Sequence, residues 1–194
     1  MSLKSFVIVG IIVTIVAGVC AALYKLPYMT LATMKAAAVD AHPQKIAEYV
    51  DFAALRTDLR RQLNVLPAER AKQKLEGSVL GNLAAAFSGA LVDKVVDGVV
   101  TPEGLLLLFQ GKSVLLGGVG QPVRVRPEDV EAVFSNAQCG YTSLSTFVVR
   151  FPAQSGRTGN VALIFRRDGL SWKLSGMELP PDVFDWVVRF GIKF

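Results

Sequence analysis

The sequence predicts an α+β fold, in which an N-terminal transmembrane helix precedes several helices packed on a four-stranded antiparallel sheet, with a short C-terminal helix. Three observations predict it. Residues 6–24 form an uncharged and mostly apolar run. Helical periodicities follow as far as about residue 110, and period-two patterns with short turns then occupy residues 131–179. Helices first and strands afterwards are typical of the α+β class.

The apolar run has the length of a membrane span. The chain has 194 residues, of which 52% are hydrophobic, slightly above the usual ~45–50%. A helix over residues 6–24 is about 28 Å long at ~1.5 Å per residue, close to a ~30 Å hydrocarbon core. Lys4 and Lys25 bracket it. We therefore expect residues 1–26 to be an uncleaved signal-anchor and residues 27–194 to form a soluble domain.

Cleavage of the apolar run is the competing interpretation. A signal peptide usually has an apolar core of ~7–15 residues and a cleavage site of the pattern small-x-small. This run is longer, and Lys25 follows it directly. Residues 16–20 read VAGVC and resemble a lipoprotein cleavage box, but the bulky Val19 stands before Cys20. The sequence favours a retained helix and leaves cleavage open.

The flanking charges are nearly balanced. Lys4 and the α-amine lie on one side of the run, and Lys25 and Lys35 on the other, so the positive-inside rule hardly discriminates. A short N-terminal tail before a long domain is the usual layout of an exported, tethered protein, which favours a domain outside the cytoplasm. Residues 27–194 carry a net charge of only +3 and no run of like charge, so no nucleic-acid partner is expected.

Helix signals follow the anchor. Pro27 is expected to end or kink the first helix, and apolar residues at helical spacing resume as far as Val39. Pro43 suits the first position of a new helix, Asp51 can cap a third, and Asn64 is a plausible end for that one.

The longest helical pattern covers residues 67–96 and reads as a buried helix of the soluble domain rather than a second span. Thr101 is placed to cap a further helix, which Gly111 should stop. Four strands are predicted at 131–140, 143–152, 160–168 and 171–179. Residues 155–159 read as a hairpin loop and Asp168-Gly169 as a tight turn. A last helix is expected near residues 183–190.

Four blocks carry a resemblance to a known family. They read PYMTL at residues 27–31, YVDFAALR at 49–56, VTPEG at 100–104 and FRRDGLSWKL at 165–174. In this order they resemble a bacterial family catalogued as domain of unknown function 2939. That family implies no activity, substrate or catalytic residue.

A looser similarity is to nuclear-transport-factor-like cone folds, whose helices pack on a curved antiparallel sheet. Their final strands often read Asp-Gly-x-Trp-Lys. Here Ser171 is an extra residue before Trp172. Such folds serve as enzymes, binding pockets and interaction modules alike, so the similarity implies little about function.

No catalytic set is visible in the sequence. His42 is the only histidine, which excludes a histidine-rich metal site, and no serine or cysteine is placed to form a triad with it. Carboxylate pairs such as Asp93 with Asp97 are expected to be solvated. We expect no catalytic residue, no metal and no cofactor.

Basic residues on the last strands are the candidate ligand-binding residues. Arg166 and Arg167 are adjacent on a strand and therefore point to opposite faces. The candidate set is Arg150, Arg166, Arg167 and Trp172. The alternative interpretation is structural, with acidic neighbours such as Asp168 pairing with the arginines and Trp172 lying in the core.

These features favour a non-catalytic binding or interaction module of unknown role. We expect it to be single-pass in a bacterial inner membrane, with residues 6–24 in the bilayer and the domain in the periplasm. The partner would be a protein or a small anionic ligand. The alternative is a small-molecule-processing enzyme that uses an Arg/carboxylate pocket on the curved sheet.

Overall fold

The predicted α+β class is confirmed. The structure, a computed structural model, describes residues 3–74, 93, 96–110, 124–152 and 160–179. The helices delimited there are α1 (Leu3–Val39), α2 (Pro43–Ala47), α3 (Phe52–Lys74), α4 (Pro102–Phe109) and α5 (Pro127–Phe134). The strands are β1 (Gln138–Ser143), β2 (Thr146–Phe151), β3 (Val161–Asp168) and β4 (Ser171–Glu178).

Pro27 does not end the first helix, because α1 continues through it to Val39. A proline inside a helix leaves the carbonyl four residues earlier, here that of Leu23, without its N–H partner and costs about 3 kcal/mol. Beyond Pro27 the helix buries Leu31 and Met34 in the core. Each large apolar side chain contributes about 1.5–3 kcal/mol on burial. Of the two expected effects of Pro27, the end of the helix is wrong, because this packing offsets the local cost of the proline, and the kink stays a prediction.

The starts of α2 and α3 are as predicted. Pro43 is the first residue of α2, and the Asp51 carboxylate accepts a hydrogen bond from the Ala54 N–H at 3.0 Å. The predicted end at Asn64 is wrong, since α3 runs on to Lys74. Asparagine costs less than about 1 kcal/mol inside a helix, too little to stop one that is packed against a sheet.

The predicted strand at residues 131–140 is wrong in its first half, which belongs to α5. The Asp129 carboxylate accepts a hydrogen bond from the backbone N–H of Arg126 at 3.3 Å, and this interaction fixes the start of the helix. Val130 and Phe134, four residues apart, are both buried. One apolar face at helical spacing therefore prevails over the β-propensity of the segment.

The remaining local predictions divide into two groups. Thr101 caps α4, because its Oγ accepts a hydrogen bond from the Gly104 N–H at 3.0 Å. The turn at Asp168-Gly169 is also confirmed, with Gly169 at a φ of +61°. Gly111, the loop at 155–159, the last helix at 183–190 and most of the predicted helix at 67–96 lie outside the described residues.

The four strands form an antiparallel meander in the order β1-β2-β3-β4. Phe147, Phe165 and Leu174 are cross-strand neighbours on one face. Ser175 is an extra residue on β4 that interrupts the register beside them. The buried face of the sheet carries the largest fully buried side chains, Trp172 and Phe147 among them. Tyr28 of α1 packs edge-on against Phe147, with ring centroids 4.7 Å apart, so the core lies between the sheet and α1.

The outer edge of β4 is hydrogen-bonded by the segment that leads from α2 into α3. The Leu174 N–H donates to the Tyr49 carbonyl at 2.8 Å, and the Leu174 carbonyl accepts from the Asp51 N–H at 2.9 Å. Nearly two turns into α3, the Asp58 carboxylate accepts from the Met177 N–H at 3.1 Å. An exposed edge strand is a template for aggregation, and these bonds occupy it.

Gln62 and Gly176 complete this edge. The Gln62 amide donates to the Met177 carbonyl at 2.6 Å and accepts from the Leu179 N–H at 3.1 Å. At Gly176 an added Cβ would lie 3.0 Å from an Asp58 carboxylate oxygen. The absence of a side chain therefore allows α3 to approach β4 closely.

Asp58→Ala should lower the free energy of unfolding by about 1–3 kcal/mol, because it leaves the Met177 N–H without an acceptor in a half-buried site. For a domain of this size the loss corresponds to a fall in Tm of roughly 2–12 °C. Thermal unfolding of the detergent-solubilised chain measures it. Arg61→Ala is the matched control, since Arg61 is exposed and pairs with the same carboxylate. Equal effects of the two substitutions would contradict the assignment.

Candidate functional site

The four candidate ligand-binding residues lie in different surroundings. Arg150 is exposed near the end of β2, four residues from Thr146, the cross-strand neighbour of Arg166. At ~3.3 Å per residue this separates the two arginines by about 13 Å along the sheet. Trp172 is only 2% exposed and lies in the core. Trp172 is the cross-strand neighbour of Arg167, but its buried side chain is not available to a ligand. Of the four candidates, Arg166 and Arg167 are the two that line a common groove, although they are paired with different residues of β4, Lys173 and Trp172.

Arg166 and Arg167 line a groove of about 500 Å³ at the junction of α3 with β3 and β4. A parallel bridge between Val50 and Leu174 sets the start of α3 against β4 and so forms the groove. Its lining residues are Val50, Asp51, Phe52, Ala54, Arg166, Arg167, Asp168, Lys173 and Ser175.

Most charged groups of this groove have partners within the protein. The Arg167 Nε donates to the Gly169 carbonyl at 2.8 Å, and the Lys173 ammonium donates to the Glu48 carbonyl. The Asp51 carboxylate caps α3. Arg166 is exposed and forms no ion pair with a carboxylate in the part of the chain that the structure describes. Arg166 is therefore a cation that a ligand in the groove could reach.

The carboxylates that could imitate an acid–base pair hold helices together instead. The Arg60 guanidinium lies 2.8 Å from the Asp93 carboxylate and 3.4 Å from that of Asp97. Arg56 lies 3.6 Å from Asp97 and donates to the Val100 carbonyl at 2.9 Å. The prediction that Asp93 and Asp97 are only solvated is thus refined to ion pairing with α3. Within the described ranges no group of three His, Cys, Asp or Glu side chains could hold a metal ion.

A cluster of aromatic rings joins α1 to the sheet, and we call it the aromatic junction: Tyr24, Tyr28, Tyr141, Phe147 and Trp172. The Tyr141 hydroxyl donates to the Tyr24 carbonyl at 2.8 Å, and the two rings stack with centroids 5.0 Å apart. Tyr141 also meets the Trp172 ring edge-on at 5.6 Å. Burial raises the pKa of Tyr141, so the proton that its hydroxyl donates is held more firmly than that of an exposed tyrosine.

The aromatic junction was not predicted from the sequence. One signal was present, since Tyr24 ends the apolar run, where aromatic side chains often mark the membrane–water interface. Its partner Tyr141 lies 117 residues away and carries no mark that distinguishes it from other strand aromatics. Only the tertiary fold brings the two together.

A second groove, of about 390 Å³, lies between α1 and α5. It is mainly apolar, with Tyr28, Leu31 and Val130 among its lining residues. Lys35 spans its rim through an ion pair with Glu131. The Lys35 ammonium also lies 5.1 Å from the centre of the Phe134 ring. These contacts hold α5 beside the second half of α1.

Tyr141→Phe should lower the free energy of unfolding by about 0.5–1.5 kcal/mol, the usual net contribution of one hydrogen bond. The ring contacts of the aromatic junction would remain. Tyr49→Phe is the control, because Tyr49 is also half-buried on the sheet side of the fold but lies outside the junction. Thermal unfolding of both variants in detergent gives the comparison. A Tyr141→Phe variant as stable as the parent would show that the hydroxyl bond contributes nothing.

Comparison with known proteins identifies one family. A family model described as protein of unknown function (DUF2939) matches residues 16–108, which include most of α1, all of α2 and α3, and α4 except for its last residue. No curated protein and no solved structure gives a match, and the similarity to cone folds stays a prediction. The resemblance predicted from the sequence blocks is thus confirmed over this range: the family that the chain matches, at residues 16–108, is DUF2939.

Proposed function

We propose that the chain is a non-catalytic binding or interaction module, held at a bacterial inner membrane by α1 and exposed to the periplasm. The observation that supports this proposal is the continuity of α1. One helix passes without a break from an exposed apolar segment into the core of the folded domain.

The two halves of α1 have different surroundings. In the first half, large apolar side chains such as Ile8, Ile12 and Val16 are more than half exposed. In the second half, Met34 and Ala38 are fully buried. A contiguous apolar surface of this size on a water-soluble protein would be a liability. Among the described residues, α1 is the one helix long and apolar enough to cross a bilayer.

The contacts of α1 also support its retention after export. Cleavage beyond Tyr24 would remove the carbonyl that accepts the Tyr141 hydroxyl, and with it part of the aromatic junction. A retained helix keeps every one of these contacts. The anchor and the domain are then one structural unit.

The dense packing of side chains on the inner face of the sheet supports the interaction role. Trp172, Phe147 and Phe165 occupy its inner face and are almost fully buried. A small-molecule enzyme usually encloses its substrate in a concave pocket. The two grooves described above are open to solvent instead, which favours contact with a partner surface or with a small anion.

The groove at Arg166 favours the second candidate, a small-molecule enzyme or anion-binding site. Arg166 shares this groove with the carboxylates of Asp51 and Asp168. A carboxylate beside an accessible guanidinium can orient a substrate or transfer a proton. Asp51 is already committed to the α3 cap, so Asp168 would have to serve as the acid or base.

Topology and retention are tested by fusing a periplasm-dependent reporter after Phe194 and by measuring the intact mass of the membrane-bound chain. We expect an active reporter and a mass that includes residues 1–26. An intact but inactive fusion would contradict the periplasmic orientation. A mature chain that starts at or after residue 20 would contradict anchoring by α1.

Anion binding at the Arg166 groove distinguishes the two functional classes. If it binds a small anion, titration of the ¹⁵N-labelled chain in detergent with inorganic phosphate should shift the amide signals of residues 51–54 and 166–168 saturably. Arg166→Ala should abolish these shifts and Arg150→Ala should keep them, because Arg150 lies outside the groove. An absence of saturable shifts, with a protein co-purifying after gentle extraction, would favour the interaction module.

A further inference from the structure

We infer that the β1–β2 and β3–β4 hairpin tips enter the headgroup region of the bilayer beside α1, so that the sheet is docked on the membrane end-on. This inference rests on the proposed anchoring by α1 and adds a second, peripheral contact with the same membrane. Its occupant is the lipid surface.

Each tip presents one exposed leucine. The β1–β2 turn consists of Leu144 and Ser145, between the paired residues Ser143 and Thr146. Leu144 is 92% exposed, the largest value among the exposed apolar side chains of the described part. The β3–β4 turn consists of Gly169 and Leu170, and Leu170 is 72% exposed.

The two tips lie at the same end of the sheet. In an antiparallel meander the first and third turns share an end, and a hydrogen bond confirms the proximity: the Arg167 N–H donates to the Ser145 carbonyl at 2.9 Å. A single exposed leucine on a protein surface is ordinary. Two of them on adjoining turns form an apolar edge.

The contacts of α1 show that this end of the sheet faces the membrane. At Tyr24, the last residue of the apolar run, the helix meets Tyr141, three residues before Leu144. Eleven residues further on, Lys35 lies over Phe134. Phe134 in turn packs against Phe151, at the opposite end of β2 from the tip, with centroids 5.2 Å apart. The hairpin tips are therefore the part of the sheet that lies nearest to the proposed membrane-spanning segment.

The distance by which the tips extend beyond Tyr24 matches the depth of the membrane interface. Tyr141 is bonded to the Tyr24 backbone at the end of the span, and three more strand residues extend about 10 Å at ~3.3 Å each. Apolar side chains of interfacial segments lie about 5–10 Å into the boundary between headgroups and acyl chains. Leu144 can attain that depth without any rearrangement of the fold.

The charges behind the tips suit an anionic surface. Arg166 and Arg167 are exposed and lie four and three residues, respectively, before Leu170. Basic residues near a membrane are attracted to anionic lipid headgroups. Asp168 is exposed between them and the tip and opposes the attraction in part, so the apolar contact of the leucines is the main contribution.

Lipid contact can be measured with an environment-sensitive NBD label on single cysteines. The full chain, with Cys20→Ala and Cys139→Ala, is reconstituted in phosphatidylethanolamine/phosphatidylglycerol nanodiscs with or without doxyl-labelled lipid. Labels are placed by Leu144→Cys and Leu170→Cys. Ser135→Cys, exposed just after α5, is the water-exposed control, and Ile15→Cys is the control within the span. We expect quenching by the doxyl lipid to be several-fold stronger at both tips than at Ser135→Cys.

The outcomes separate the two proposals. Quenching at Ile15→Cys but not at either tip would overturn end-on docking and leave anchoring by α1 intact. Quenching at none of these sites would overturn both. Tips shielded from aqueous iodide yet untouched by doxyl lipid would indicate a protein partner or a second copy of the chain, and would also overturn the inference.

A second set of variants tests whether the label itself causes insertion into the bilayer. A label at Thr142→Cys, two residues behind the first tip, is compared with and without Leu144→Glu and Leu170→Glu. We expect the two glutamates to lower its quenching to the level of Ser135→Cys, with the Tm in detergent unchanged within a few degrees. Quenching that is unaffected by the glutamates would overturn the role of the leucines.

Discussion

Everything else in this structure depends on the continuity of α1, which joins an exposed apolar segment and a segment buried in the core within a single helix. From Phe6 to Tyr24 the helix carries no charged residue, a composition that suits a membrane span. From Leu31 onward only one face is buried. Pro27 lies between the two halves, where a break would have separated anchor from domain, and it is itself buried. Packing of the aromatic junction and of the second half of α1 keeps the helix whole.

The position of the sheet follows from this continuity. Because Tyr141 and Phe147 contact α1 near the end of its apolar run, the tip end of the sheet lies close to the span. The far edge is secured by α3, which hydrogen-bonds β4 through Asp58 and Gln62. α1 thus packs on the inner face of the sheet, whereas α3 is hydrogen-bonded to its β4 edge. The Arg166 groove lies where the start of α3 meets β4.

The sequence predicted correctly the helix starts and the turn whose determining residues lie within a few positions of one another. The Asp51 and Thr101 caps, the Pro43 start and the Gly169 turn are all confirmed. The errors at Pro27 and Asn64 share a cause, since each placed local propensity above packing that the sequence does not display. At residues 131–140 the β-propensity of the segment was instead placed above local helix signals, the Asp129 cap and the spacing of Val130 and Phe134. The candidate site was predictable only in part. Adjacent arginines were visible, but Arg150 and Trp172 lie outside the groove because register and burial are tertiary properties.

If α1 crosses the bilayer as proposed, its continuity into the core leaves the domain no freedom to swing about the anchor. The most direct measurement is the distance between spin labels at Val16→Cys in the span and Ser135→Cys after α5, taken by pulsed electron resonance on the full chain in nanodiscs with the native cysteines replaced. A continuous α1 predicts a single narrow distance distribution. A broad distribution, typical of a flexible joint at Pro27, would contradict the account.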